Sequence, residues 1–320
     1  MEYKIHCYFC SHEKFREEYV FGETTVKLVS HGEKCKDINF SVQGDTTYEL
    51  IIESTESPSA IHKIVDLLCS SYALINGYNS YNSDDLIDHI IPESEKEASF
   101  WAGRNPFYAE VDDCWYFALL LAEKAYGNSR MINAIMRYYS AHKIVNLHPM
   151  DLHPYNDPMK DEYLLSDQMG FANCIMACYA ALEEVCMNVD LKKGRGLLNQ
   201  DATAWNPEIY NIVSNKLKSI GIDPAMELMW LSRGENAAPS KDVYVKIIRN
   251  CEWSYGDIND YYTTPVDALL RIKQLRNKAG AHNDAEGIGL LSIYDVENAF
   301  HISRSLLLLK FGIYSLLMKS

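Results

Sequence analysis

The apolar residues of this chain take up a helical three-and-four spacing only beyond Pro58, and that change of period limits the fold more than any other feature. Before it, EYKIHCYF, YVFGETTVKLVS, INFSVQG and TYELIIES are short runs rich in β-branched and aromatic residues. Gly, Asp and Ser punctuate them, as turns between strands require. After it, AIHKIVDLLCSSYALINGY places its apolar residues on one helical face behind a Ser-Pro start. The chain is expected to build a small β-rich unit first and to pack helices afterwards.

The remaining segments extend that order. NSYNSDDLIDHIIPESEKE is polar and broken by proline, so it reads as a connection. Pro106 opens a helix over FYAEVDDCWYFALLLAEKAYG, and Asn128 or Ser129 caps a second over SRMINAIMRYYSAHKIV. The proline-rich loop NLHPMDLHPYNDP is the expected domain boundary. Beyond it the periodicity predicts a long apolar helix over about 168–190, shorter helices near 207–219, 223–232 and 240–250, the helix PVDALLRIKQLRNKA, and a final helix over about 292–318 started by Ser292 and Asp295. The expected class is α+β and mainly α. A β-rich domain at 1–100 is followed by a helical connecting region at 101–160 and an all-α domain at 161–320.

Composition narrows the function classes. With 320 residues, 48% hydrophobic and 23% charged, the chain has the make-up of an ordinary globular protein. A net charge of −14 argues against a constitutive nucleic-acid coat protein, because Lys and Arg drive phosphate binding by displacing counterions. It leaves room for a local basic site. Nine cysteines, an odd number set in apolar segments such as CIMACYAALEEVC, read as reduced core residues rather than a disulfide framework. The first residues lack the pattern of a secretory leader, and Leu306 to Met318 is too short for a membrane span. A cytoplasmic location without membrane attachment is the expectation.

One stretch asks for a reason. In LRNKAGAHN, Leu275 to Asn283, an arginine precedes a small Ala-Gly-Ala turn and a histidine. Each residue of a helix turns by about 100°, so Asp267, Arg271, Gln274 and Lys278 gather into an expected solvent stripe. Val266, Leu269, Ile272, Leu275 and Ala279 spread over the other side. Arg276 falls between Leu269 and Ile272, on that apolar side. A charge so placed is costly unless it is paired or the face borders a cavity or interface. Gly280 then ends the helix and turns the chain, so that His282 can approach Arg276. An Arg and a His converging at a helix end make a compact anion-handling site; a snorkelling or salt-bridged Arg beside a loop His is the plainer reading.

Arg276-Asn277 followed by His282, with five residues between Arg and His, resembles the R-x(4–6)-H signature of HEPN domains (higher eukaryotes and prokaryotes nucleotide-binding). The resemblance covers roughly residues 165 to 320. The helix ending in AALEEVC is similar to an early helix of such bundles, and the motif helix follows after an insertion. Catalytic members are metal-independent endoribonucleases, usually dimers in which two R…H motifs share a cleft. The resemblance therefore implies that His282 serves in general acid-base chemistry while a ribose 2′-OH attacks the adjacent phosphate, leaving a cyclic phosphate end. It implies that Arg276 holds the scissile phosphate and that Asn277 orients His282 or the phosphate. No metal or cofactor is implied. It also implies an RNA substrate, a homodimer formed through this domain, and a regulated toxin or antiphage, abortive-infection effector answering to a regulatory protein or phage trigger. The N-terminal domain is the candidate sensor. Asp284 stands where related toxins often carry a modified Tyr, which leaves the control mechanism open. A noncatalytic HEPN-like module that grips a nucleotide or a protein is the alternative, and the acidic composition favours it slightly.

Other constellations are weaker. On the long helix, Phe171, Ile175, Cys178, Leu182, Val185 and Val189 form an apolar side, opposite a small-residue stripe of Asn173, Ala177, Ala180 and Glu184. Glu184 or Asn173 would support Arg276 if that stripe packs near the motif; a solvated Glu184 is the plainer reading. RYYSAH, with Arg137 and His142, also fits R-x(4)-H, but in an unbroken helix the two side chains diverge by about 140°. Cys7, Cys10, His31 and Cys35 suggest a zinc knuckle, which needs its CxxC in a tight turn rather than in a strand. His148, Asp151 and His153 sit in the proline-rich loop, where solvation is the plainer reading than metal binding. Phosphate-loop, HExxH and G-x-S-x-G motifs are absent from the sequence.

Overall fold

The computed structural model describes residues 3–11, 15–30, 46–77, 91–92, 114–147, 165–189, 196–201, 203–232, 249–255, 258–280, 291 and 293–314. Within them the chain is α+β and mainly helical. It divides into two compact units, Met1–Ile135 and Met136–Ser320, each described by itself. The proline-rich loop expected as the boundary lies outside the described residues from 148 onward.

In the first unit, β1 (Tyr3–Ser11), β2 (Glu18–Phe21), β3 (Thr24–Ser30), β4 (Thr46–Ser54) and the short β5 (Ile91–Pro92) form one antiparallel sheet in the order β2-β3-β4-β1-β5. The expected strands therefore appear, except that INFSVQG lies outside the described residues and Gly22-Glu23 divides YVFGETTVKLVS into a hairpin. Gly22 has φ +64°, and a Cβ there would stand 2.5 Å from the Tyr126 hydroxyl, so both backbone angle and space call for glycine. Register pairs Val26 with Ile52 and Leu28 with Leu50. These four are buried with Tyr19 and Phe21, while Val20, Val29 and Lys27 stand half-buried or exposed: the period of two expressed as faces.

Helix α1 (Pro58–Asn76) packs against that sheet and against α2 (Cys114–Ala125). Ser57 caps its start by accepting from the Ala60 N–H, and Pro58 needs no donor in the first turn. Gly77, at φ 83°, ends it and donates its N–H to the Ala73 carbonyl. Tyr72 and Trp115 join the two helices with ring centroids 4.7 Å apart. The expected start of α2 at Pro106 lies outside the described residues. Asn128 accepts from the Met131 N–H at the start of α3 (Ser129–Leu147), as its position suggested, and the division between the units falls within this helix.

The second unit holds α4 (Leu165–Glu184), α5 (Pro207–Ser219), α6 (Pro265–Gly280) and α7 (Ile293–Phe311). Helices α4, α6 and α7 pack on one another, and α5 lies against α6. An all-α domain was expected, and here the structure corrects the sequence reading. Strands β6 (Leu228–Ser232), β7 (Arg249–Tyr255) and β8 (Ile258–Thr263) form an antiparallel sheet in the order β6-β8-β7. The helix expected at 223–232 contains β6 instead, and the described end of the one expected at 240–250 is the start of β7. Leu228 and Trp230, two apart, are the buried pair in β6, which is strand spacing. Gly256-Asp257 between two aromatic runs is a hairpin signal that short apolar windows concealed. The sheet lies in sequence between α5 and α6.

Helix α4 is shorter than expected. Cys186 takes φ 62°, its N–H donates to the Glu183 carbonyl, and the Met187 N–H reaches back to Leu182, a left-handed helix stop usually served by glycine. Val185 and Val189 are still buried, but beyond the helix end. Among the described residues no helix is long and apolar enough to cross a membrane.

Candidate functional site

The motif helix α6 starts on a cap that also anchors it. The Asp267 N–H donates to Thr264 Oγ1, whose hydroxyl donates to Asp267 Oδ2 at 2.7 Å, and the indole N–H of Trp205 donates to Asp267 Oδ1 at 3.1 Å. From Pro265 to Ile272 every residue is buried. The expected solvent stripe is thus corrected: Asp267 and Arg271 are 7% and 8% exposed. The reason is packing on three sides, by α4, α5 and α7, which a helical wheel for one helix does not contain. Arg271 is held by polar partners, Gln274 at 2.8 Å and Asp295 of α7 at 3.7 Å. A buried guanidinium needs such compensation.

The helix becomes accessible only in its later turns, where Lys273, Gln274, Arg276 and Asn277 are half-buried around the buried Leu275. The Arg276 guanidinium lies 5.9 Å from the centroid of the Tyr179 ring on α4, and Lys273 Nζ lies 4.8 Å from the same centroid. An aromatic face attracts a cation by its quadrupole, at about 0.5–1 kcal/mol where water still has access. Tyr179 is itself fully buried, and its hydroxyl accepts from the Val189 N–H at 2.8 Å, which ties the segment after α4 back to the helix. The apolar-side placement of Arg276 therefore has a physical cause: that side meets α4, and an aromatic ring stands there.

The other expected site residues are distributed as follows. Asn277 is half-buried beside Arg276, and His282 lies outside the described residues. The small-residue stripe of α4 appears as expected, with Asn173 exposed and Ala177, Ala180 and Glu184 half-buried. Glu184, however, pairs with Arg137 Nε at 2.8 Å, and neither it nor Asn173 hydrogen-bonds Arg276. Their expected support of Arg276 is replaced by the ring of Tyr179. Sequence reasoning missed Tyr179 and Lys273. Lys273 stands three residues before Arg276, a helical neighbour, but Tyr179 is brought in by a different helix.

The second R…H match, Arg137 and His142, separates as its spacing requires. The Arg137 side chain is 51% exposed, whereas His142 is buried and tilted on Phe300 with centroids 5.4 Å apart. Burial lowers the His142 pKa to about 4, which keeps it neutral and unsuited to proton exchange at neutral pH. Close by, burial raises the Tyr138 phenol, which stacks on Phe300 at 4.7 Å. The hydrogen bond with Cys178, then burial, raises the Cys174 thiol. These groups form an uncharged core layer, the phenol and thiol keeping their protons and the imidazole taking none.

The strand β1 runs through both Cys7 and Cys10, so that CxxC is not in a turn; His31, Cys35, His148, Asp151 and His153 lie outside the described residues. Among the described residues no group of three His, Cys, Asp or Glu side chains is arranged to hold a metal. The chain matches no protein-family model, no curated protein and no solved structure.

Proposed function

We propose that this chain is a metal-independent endoribonuclease of HEPN type, with its active site at the accessible end of α6. The observation that carries the reading is the setting of Arg276: a guanidinium half-exposed on an aromatic floor, at the end of a helix whose first two turns are enclosed. A cation presented from a rigid element suits the recognition of a phosphodiester. Arg276 binds the scissile phosphate and stabilises charge developing on its oxygens. His282, six residues further on, takes the proton of the ribose 2′-OH or donates one to the leaving 5′-oxygen. Asn277 orients one of these groups. The products are a cyclic phosphate end and a 5′-hydroxyl end.

In this reading the helices of the second unit correspond to a HEPN-like bundle, and the β6–β8 sheet is an insertion before the motif helix. Two chains pair through this unit so that two motifs share one RNA-binding cleft. The first unit regulates the nuclease in the cytoplasm, as in a toxin or antiphage effector held silent until triggered. A second reading, a noncatalytic module that binds a nucleotide or a protein, is favoured by one observation: the net charge of −14 weakens general attraction to RNA.

The test is cleavage of total cellular RNA by the purified chain in EDTA, with Arg276→Ala and His282→Ala proteins of matched fold and oligomeric state. Wild type is expected to leave cyclic phosphate ends, with the His282 variant slower by about 10²–10⁴-fold and the Arg276 variant by about 10²–10³-fold. Intact RNA in the presence of candidate triggers, or equal cutting by the variants, would transfer the assignment to the binding module.

A further inference from the structure

Helix α6 leaves one arc accessible near its end. Counted from Gln274 at about 100° per residue, Asn277 stands about 60° round the helix, Lys273 about 100° and Arg276 about 160° in the same direction, and all four are half-buried. Leu275, about 100° the other way, is buried. The Arg276 edge of the arc meets α4 at the Tyr179 ring. At the other edge the buried Arg271 donates from Nη1 to Gln274 Oε1 at 2.8 Å, and its Nη2 lies 3.7 Å from Asp295 Oδ1 on α7. A guanidinium carries donors and no acceptor, so it fixes which end of the amide turns toward it. The Gln274 oxygen faces Arg271, and the amide NH2, which has no partner among the described residues, is on the branch that points away. A carboxylate at 274 would hold Arg271 by a charge-assisted bond, roughly twice as strong; only the amide can also donate. Glutamine loses much rotamer freedom when it is ordered, and here part of that loss is taken in folding, which leaves less to lose on binding.

We propose that Gln274 is a ligand-binding residue whose amide NH2 donates to an oxygen of the phosphate adjacent to the scissile one, on an RNA strand laid across the arc from Arg276 past Asn277. The ligand class is taken from the ribonuclease reading. With its side chains a helix is about 10–12 Å across, so the two edges of the arc are too far apart for one phosphate and suit successive phosphates of a strand. Gln274 is uncharged, so its contact fixes where the strand lies without releasing a counterion.

The experiment measures, by fluorescence anisotropy in EDTA over a series of salt concentrations, the affinity of the full chain for labelled 2′-O-methyl oligoadenylate and oligouridylate, which lack the attacking hydroxyl and are not cut. Gln274→Met removes the donors without adding charge and should weaken binding about three- to tenfold at every salt concentration, with the slope of log affinity against log salt unchanged. Arg276→Ala should instead reduce that slope by about 0.7, the value for one phosphate contact on a single strand. Gln274→Glu keeps an acceptor for Arg271 and removes the donors; its thermal midpoint should equal or exceed that of the wild type, while its affinity, extrapolated to 1 M salt where the added charge is screened, should still be lower. It therefore carries the test if Gln274→Met fails to fold. Undiminished affinity of a folded Gln274→Glu at that limit would overturn the donor role, as would a loss on one of the two oligonucleotides alone, which would mean a contact to a base, or no binding by the wild type. If Arg276→Ala weakens binding and the Gln274 variants do not, the donor role fails while the nuclease reading stands. If all of them weaken binding but unmodified RNA stays uncut, the donor role stands and the cleavage reading fails.

Discussion

Among the described residues, the buried polar side chains of the first unit are small hydroxyls, whereas the second unit buries charge. In the described part of Met1–Ile135 these are Thr24, Ser54, Ser70 and Ser71. Thr24 donates to Ser54 across the β3–β4 pair, and Ser70 donates to the Asp66 and Leu67 carbonyls of its own helix. In Met136–Ser320 they include His142, Asp267, Arg271 and Asn298. A hydroxyl finds a local acceptor almost anywhere, whereas a buried charge needs a partner delivered by another element. Asp267 accepts from Trp205 before α5, and Arg271 meets Asp295 on α7. Such bonds have direction, so they fix where α6 lies between its neighbours and hence where Arg276 is presented. The first unit is held by apolar area and turn geometry; the second adds polar ties that point at the candidate site.

That contrast is most exposed to a test at Arg271. Arg271→Ala removes the guanidinium that faces the Asp295 carboxylate inside the unit, and urea unfolding should show a loss of about 3–5 kcal/mol. An Arg271→Met, Asp295→Leu double variant, which removes both charges, should recover most of it. If the single variant costs no more than a surface substitution, the charged core of the second unit is not structural.

Acid should separate the units next. His142 is neutral when folded because burial lowers its pKa to about 4, below the ordinary 6.5. Between those values the unfolded chain takes up a proton that the folded chain does not, so this contribution to stability is complete above pH 6.5 and declines down to about pH 4. The decline is on the order of 1.4 kcal/mol per pH unit at most. His142→Gln should flatten the pH dependence of the urea midpoint over that range, whatever its stability at neutral pH. The indole NMR signals of Trp205 and Trp230, in the second unit, should respond at higher pH than that of Trp115 in the first.

Smaller effects sharpen the comparison from the side of the turns. Gly22→Ala forces a side chain into a left-handed turn against the Tyr126 hydroxyl and should cost about 1 kcal/mol, part of it returned by Tyr126→Phe. Denaturant midpoints followed at Trp115 would show it; a neutral Ala would mean that the hairpin does not depend on that angle. Cys186→Gly should do the reverse at the end of α4, adding about 0.5–1 kcal/mol by placing glycine at φ 62°. A destabilised Cys186→Gly would show that the thiol contributes more than the strained backbone costs.

The parts legible in the sequence were those decided by neighbours in the chain. Strands β1 to β4 of the first unit, the Ser57-Pro58 start of α1, the Asn128 cap, α5 and the motif helix ending at Gly280 follow from period, caps and breakers, which act over a few residues, whereas β5 lies in a segment that reads as a connection. The divergence of Arg137 from His142 follows from helical rotation alone. The β6–β8 sheet was concealed because a short apolar run fits strand or helix until a pairing partner selects one.

By itself, then, the sequence determined the mixed class, the helix that carries Arg276 and Asn277, and the side of that helix on which the arginine stands. Only the tertiary structure decided what meets that side. It enclosed Asp267 and Arg271, gave Glu184 to Arg137, and brought Tyr179 from a helix almost a hundred residues earlier beneath Lys273 and Arg276. Periodicity assigns a residue to a face but is silent on which element covers it, because packing between distant segments depends on the shapes and charges of both surfaces at once.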